Sequence, residues 1–299
     1  LAADLHDIAF GADPGAPVPP AHTPRERWLA GVALGGQGHY AAATALLAPL
    51  ASTAGPVAAL AGAALASHRR QLGGHAAARR LDGRALLLLG EDEQARSDVL
   101  LGLAADALGL GLTRQAHALL DRAAGLTGWR HELRHDWVTA EVLLAEGRAA
   151  QAVAPAERAA ERALACDSVR HQVKADLVLA AALATASDPS QRPIGLLQSV
   201  VARAQDHGLA PLVWPSALLL AELDPDGAAT HRMTGWAALH AVLHRTDPIG
   251  RRIAEASPWV PTRAMHSLEP PMAASGRTSS EELPPDRVKV RAPASDKGT

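Results

Sequence analysis

Apolar residues recur three and four positions apart from residue 24 to residue 256, and glycine or Asp-Pro cuts the pattern at short intervals. The breaks fall at Gly35-Gly36, Gly55-Pro56, Gly73-Gly74, Gly90, Gly111, Gly128, Gly147, Asp188-Pro189, Gly208, Asp224-Pro225 and Asp247-Pro248. The segments between them are about 12–20 residues, the ordinary length of a globular helix. Short connections fold such segments back on one another as antiparallel hairpins. The flanks read differently. In residues 1–23, Pro14, Pro17, Pro19 and Pro20 oppose helix, giving an irregular N-terminal segment. Residues 257–299 hold Pro258, Pro261, Pro270, Pro271, Pro284, Pro285 and Pro293 among Ser, Arg and Glu. They lack apolar periodicity and read as a disordered C-terminal tail, solvated or carrying a linear interaction motif.

Composition sharpens this to an all-α expectation. The 299 residues include 67 Ala and 43 Leu against one Phe and one Tyr. Ala and Leu are the strongest helix formers, whereas strands prefer β-branched and aromatic residues. With 29 basic and 31 acidic side chains the formal net charge is −2, so no basic excess marks a nucleic-acid binder. The longest nearly apolar run, Leu177 to Ala186, is shorter than the roughly 20 residues of a membrane span. No basic stretch followed by an apolar core opens the chain, so no signal peptide is read. The chain starts at Leu1 rather than Met, which leaves a fragment, a processed start or an unusual start codon open. The single cysteine, Cys166, excludes an internal disulfide, fits a reducing compartment and reads as a small buried residue.

A glycine followed five residues later by alanine recurs as Gly38…Ala43, Gly73…Ala78, Gly111…Ala116 and Gly147…Ala152, at spacings of 35, 38 and 36 residues. Glycine closes a helix cheaply in the left-handed conformation. The alanine falls where two helices cross and where bulk would force them apart. Gly31, Ala104 and Ala140 hold a small position seven before the glycine, and Leu34, Ala107 and Leu143 an apolar one four before it. In the following helices Leu47, Leu120 and Ala156, then Leu50, Ala85, Ala123 and Ala159, fill apolar sites. This pattern resembles the tetratricopeptide repeat, a helix-turn-helix unit of about 34 residues. The likeness covers 24–165 as four hairpins, and by extension 166–256 as degenerate repeats and capping helices. It departs at Asp82, which stands in an apolar site, and in lacking the usual helix-ending proline. The resemblance implies a right-handed α-solenoid whose hairpins stack into a curved ribbon.

The resemblance also implies that the first helix of each repeat lines a concave, peptide-holding groove. The groove-facing position ten residues before each turn glycine holds Trp28, Ala63, Leu101 and Trp137, and other groove positions hold Ser67, Arg70, Asp98, Arg134 and Glu141. Trp28 and Trp137 read either as interface anchors or as helix-packing residues. Family members that clamp a terminal carboxylate use Lys and Asn; here Trp28 and Val32 stand in the first copy, so that clamp is not expected.

His131-Glu132-Leu133-Arg134-His135 matches the zincin string H-E-x-x-H, which on a helix puts two imidazoles on one face with Glu132 as general base. Three fixed positions in a His-rich chain are weak, Arg134 is atypical inside such a motif, and an array of hairpins offers no adjoining sheet and cleft. His240 and His244 form a second pair without a third ligand. No phosphate-binding loop, G-x-S-x-G or cysteine pair appears. The reading is therefore a non-enzymatic scaffold, without cofactor or metal, that binds a protein or peptide in its groove and neither nucleic acid nor membrane. Ala-rich, Arg-over-Lys composition suggests a bacterial cytoplasmic protein. The alternative is the helical sensor module of a bacterial transcriptional or signalling regulator, prompted by Gly208–Trp214 and the Leu-rich helix after it. A zinc metallopeptidase comes third.

Overall fold

The computed structural model describes residues 4–187 and 191–262. Among the described residues it is all-helical. The elements are α1 (Leu5–Phe10), α2 (Pro24–Gly36), α3 (Tyr40–Ala51), α4 (Pro56–Gln71), α5 (His75–Ala85), α6 (Glu93–Gly109), α7 (Thr113–Ala123), α8 (Trp129–Ala145), α9 (Ala149–Leu164), α10 (Val169–Thr185), α11 (Arg192–Asp206), α12 (Ala210–Leu223), α13 (Ala228–His244) and α14 (Pro248–Ala256), with a 3-10 turn at Leu86–Leu88.

The turns form for the reasons the repeat suggests. Gly38, Gly73, Gly111 and Gly147 all adopt positive φ, between 72° and 82°, closing α2, α4, α6 and α8. Ser187 takes the same left-handed conformation (φ 59°) after α10, where the repeat no longer supplies glycine. The rest of that turn, residues 188–190, lies outside the described residues. Side-chain caps fix the starts of α1, α2, α6 and α14. At α2, Thr23 Oγ1 accepts the Glu26 N–H at 3.2 Å while Glu26 Oε2 accepts the Thr23 N–H at 2.9 Å, a reciprocal cap that sets the register of Trp28.

Small residues let the hairpins close. Ala43, Ala78, Ala116 and Ala152 are each fully buried. At the first crossing α2 is closer still: a Cβ on Gly31 would lie 2.5 Å from Leu47 Cγ, inside α3. From α1 to α13 each helix packs on its neighbours in sequence, and α2, α4, α6, α8, α10 and α12 also pack each on the next of that set. The even-numbered helices from α2 to α12 thus make an inner layer, with α3, α5, α7, α9 and α11 outside.

Three features depart from the sequence expectation. First, the N-terminal segment is neither wholly irregular nor loose. It forms α1, buries Ile8 and Phe10, and lies between the first and fifth hairpins, where Gln37 Nε2 donates to Pro14 O and Ala16 O at 2.9 Å each and Val169 N–H donates to Gly11 O at 3.2 Å. Second, the inner face is not left as an open ribbon. Ala41 N–H donates to Arg245 O at 2.9 Å, Arg69 forks onto Asp247 at 2.7 and 3.1 Å, and Ser257 Oγ donates to Gly73 O at 3.3 Å. Tyr40, Leu72, Leu239, Val242, Ala254 and Val260 form a small core at this seam between the two ends of the array. Third, packing continues past residue 257, since Val260 and Thr262 are buried; the remainder of the expected tail, 263–299, lies outside the described residues. No helix among the described residues is long and apolar enough to cross a membrane.

Candidate functional site

The inner helices turn one face each toward a single cavity of about 730 Å³. Its lining follows helical spacing: Ala63, Ser67 and Arg70 on α4, Asp98, Leu101 and Ala105 on α6, and Arg130, Arg134, Trp137 and Glu141 on α8. Arg170, Lys174 and Leu177 on α10, and Trp214 on α12, continue the wall, and Trp259 reaches it from beyond α14. All seven residues placed in the groove from sequence lie on this wall: Trp28, Ser67, Arg70, Asp98, Arg134, Trp137 and Glu141. Their roles within it differ. Trp28 is only 1% exposed, wedged between Phe10 (ring centroids 5.6 Å apart) and the Arg25 guanidinium, with its indole N–H lacking an acceptor. It is chiefly a packing residue. Trp137 is half-buried and stacks on His171 at 5.8 Å.

Asp82, the departure from the repeat pattern, organises one side of the wall. Arg70 donates to Asp82 Oδ2 at 2.6 Å and to Asp106 Oδ1 at 2.7 Å, and both aspartates are completely buried. Burial, and then the neighbouring Asp106, push the Asp82 carboxyl well above its usual range despite Arg70. The same two acids overcome burial and raise Arg70. Gly102 makes room for the cluster: a Cβ there would collide with Asp82 Oδ2.

Beside it lies a cluster of guanidinium groups, Arg134 being near enough to Asp82 and Arg70 to act on both. Arg130 donates to Asp98 Oδ1 at 2.6 Å, and Arg134 donates to the same oxygen. Burial alone would raise Asp98, but these two arginines outweigh it and hold the carboxyl below its usual range. Lys174 pairs with Glu141 at 2.7 Å. Arg170 has no carboxylate within ion-pair distance among the described residues. Its one hydrogen bond is a 3.4 Å contact to Val32 O, and burial, with Arg130 and Arg134 nearby, pulls it down to about 10. His171 is held neutral, far below its usual range, by burial and the same three arginines.

The zincin string is used for packing. His131 is buried with Nδ1 2.8 Å from Ser97 Oγ, His135 Nε2 lies 3.2 Å from Leu120 O, and Glu132 is ion-paired with Arg162. Among the described residues no group of three His, Cys, Asp or Glu side chains is placed to hold a metal.

Sequence reading did not reach Arg130, Arg170, Lys174, Phe10, Trp214 or Trp259. Arg130 stands four residues before Arg134, and Lys174 four after Arg170, so helical spacing carried a usable signal for those. Phe10 and Trp259 lie in proline-rich flanks with no periodicity to place them. No protein-family model matches the chain, and no curated protein matches it.

Proposed function

We propose that this chain is a non-enzymatic binding module built as a right-handed α-solenoid of tetratricopeptide-like hairpins, whose inner cavity takes a peptide or protein segment. The observation that carries this reading is the convergence of six inner helices on one cavity, with half-buried Trp137 and several charged side chains on its wall. Sites of a few hundred to about 1,000 Å³ with apolar walls and a few aimed polar groups are the usual form of a ligand pocket. Closure at the α3–α13 and α4–α14 seam favours a short segment over a globular surface. Peptides selected from a displayed library on the full chain test it. They should bind saturably, and Ala105→Trp, which fills the cavity, should abolish binding while far-UV circular dichroism stays unchanged. Equal binding to both proteins overturns the proposal.

A second reading, the sensor module of a bacterial cytoplasmic regulator, is favoured by that same seam. A ligand that alters the inner wall also bears on the contacts between the two ends of the array, so occupancy can be passed to an attached domain. Hydrogen exchange at α14 with and without a selected peptide tests it; unchanged protection removes it.

A further inference from the structure

We propose that the part of the cavity wall where α8 meets α10 is an oxyanion site, in which Arg130, Arg134 and Arg170 receive a head group carrying two negative charges, attached to an apolar body. The inference rests on the cavity being a ligand site and names the chemistry it selects.

Charge pairing carries the argument. Arg70 is answered by Asp82 and Asp106, and Lys174 by Glu141. Arg130 and Arg134 then share one carboxylate, Asp98, and Arg170 has none among the described residues. This leaves the three-arginine cluster two positive charges beyond Asp98, on a cavity wall that Leu60, Ala63, Leu101 and Leu177 also line. Partly buried guanidinium groups without counter-charge are costly, and an incoming anion relieves that cost. The geometry suits a planar fork. Arg130 lies over the face of Phe10 at 4.5 Å and Arg170 lies over the same ring at 5.8 Å. Stacking on an aromatic face fixes a guanidinium group and leaves its N–H edges free to bind oxygen atoms in pairs. Arg130 Nε is also buried without an acceptor, so the cluster's donors are not satisfied internally. Trp137 and Trp214 supply apolar surface on the same cavity for the body of the ligand. Two charges on one head group are the chemistry of a phosphate monoester or of adjacent carboxylates.

Calorimetry on the full chain, in buffer free of phosphate and sulfate, tests the site with phenyl phosphate, phthalate and benzyl alcohol as probes. Phenyl phosphate or phthalate should bind once per chain, and which of them binds identifies the head group; benzyl alcohol should not bind. Arg170→Gln should weaken binding by about tenfold or more, with Arg170→Lys in between. In the wild-type protein, phenylglyoxal labelling of Arg170, mapped by mass spectrometry, should slow when the binding probe is present, which keeps the test independent of variant folding. No saturable binding of either anion up to about 10 mM overturns the proposal. So does binding that Arg170→Gln leaves unchanged, or labelling of Arg170 that the probes do not slow. Peptides that bind wild type and Arg170→Gln equally, yet fail on Ala105→Trp, overturn the oxyanion site while leaving the cavity reading intact.

Discussion

Substituting alanine for glycine in a helix normally stabilises it by about 1 kcal/mol, because glycine loses more backbone freedom on folding. Gly31→Ala should do the opposite. A Cβ there would stand 2.5, 2.6 and 2.9 Å from Leu47 Cγ, Cδ2 and Cδ1. Carbon atoms pack favourably at about 3.5–4.0 Å, so α2 and α3 must separate or Leu47 must leave its rotamer. Leu47 is fully buried, so it cannot turn outward into solvent without losing that burial. Overpacking of this kind costs about 1–3 kcal/mol, which offsets the helix gain and leaves a net loss of about 1 kcal/mol. Gly83 in α5 is the control, since nothing lies within 4 Å of its Cβ position; Gly83→Ala should stabilise by about 0.5–1 kcal/mol. Urea unfolding followed by far-UV circular dichroism should therefore separate the two variants by about 2 kcal/mol, with melting temperatures roughly 4–8 °C apart. If Gly31→Ala proves as stable as Gly83→Ala, the first two repeat helices do not cross at Gly31, and the argument from small residues at crossings fails.

Further expectations come from buried groups and the seam. His68 stacks on Tyr40, and burial first, then Arg170 and Arg69, lower it to about 3. The unfolded chain takes up that proton near pH 6.5 and the folded chain does not, so stability is unaffected above pH 7. It falls by about 1.4 kcal/mol per unit from pH 6.5 down toward pH 3. His68→Gln should flatten that part of the pH–stability curve, and an unchanged slope refutes the assignment. Asp247→Ala removes both the fork to Arg69 and the α14 cap, in which Asp247 Oδ1 accepts the N–H groups of Ile249 and Gly250 at 3.1 and 3.0 Å. A local loss of about 2 kcal/mol is expected, read as faster tryptic cleavage after Arg251 and Arg252. Gly102→Ala drives a Cβ into the Asp82 carboxylate and to 3.1 Å from Arg70 Nη2, and should cost about 2 kcal/mol in urea unfolding. Zinc-treated and dialysed protein should retain less than about a tenth of an equivalent; stoichiometric metal lost in His135→Ala would contradict the packing role of the zincin string.

Much of the candidate site was legible because it repeats. The resemblance to the tetratricopeptide repeat implies that the position ten residues before each turn glycine faces inward, and Trp28, Ala63, Leu101 and Trp137, which hold it, all line the cavity. Spacing says where a side chain points and nothing of what it meets. Trp28 reads in the sequence as either an anchor or a packing residue, and what decides between them is Phe10, which is distant in any repeat register. Asp82 reads as a defect until Arg70 and Asp106 are seen closing on it.

The amino-acid order by itself determined the helices between residues 24 and 256, the glycine turns and the crossing residues. Those depend on neighbours within one hairpin, on backbone conformations that glycine favours, and on periodicity that a short window reveals. Only the tertiary structure decided that the N-terminal segment seats Phe10 beneath Arg130 and Arg170, that α14 meets α4 through Asp247 and Arg69, and that Arg130, Arg134 and Arg170 have only Asp98 between them among the described residues. Those outcomes hang on curvature summed over many hairpins and on pairings between residues more than a hundred positions apart. No local pattern encodes either, because each arises from the balance of packing over the whole array.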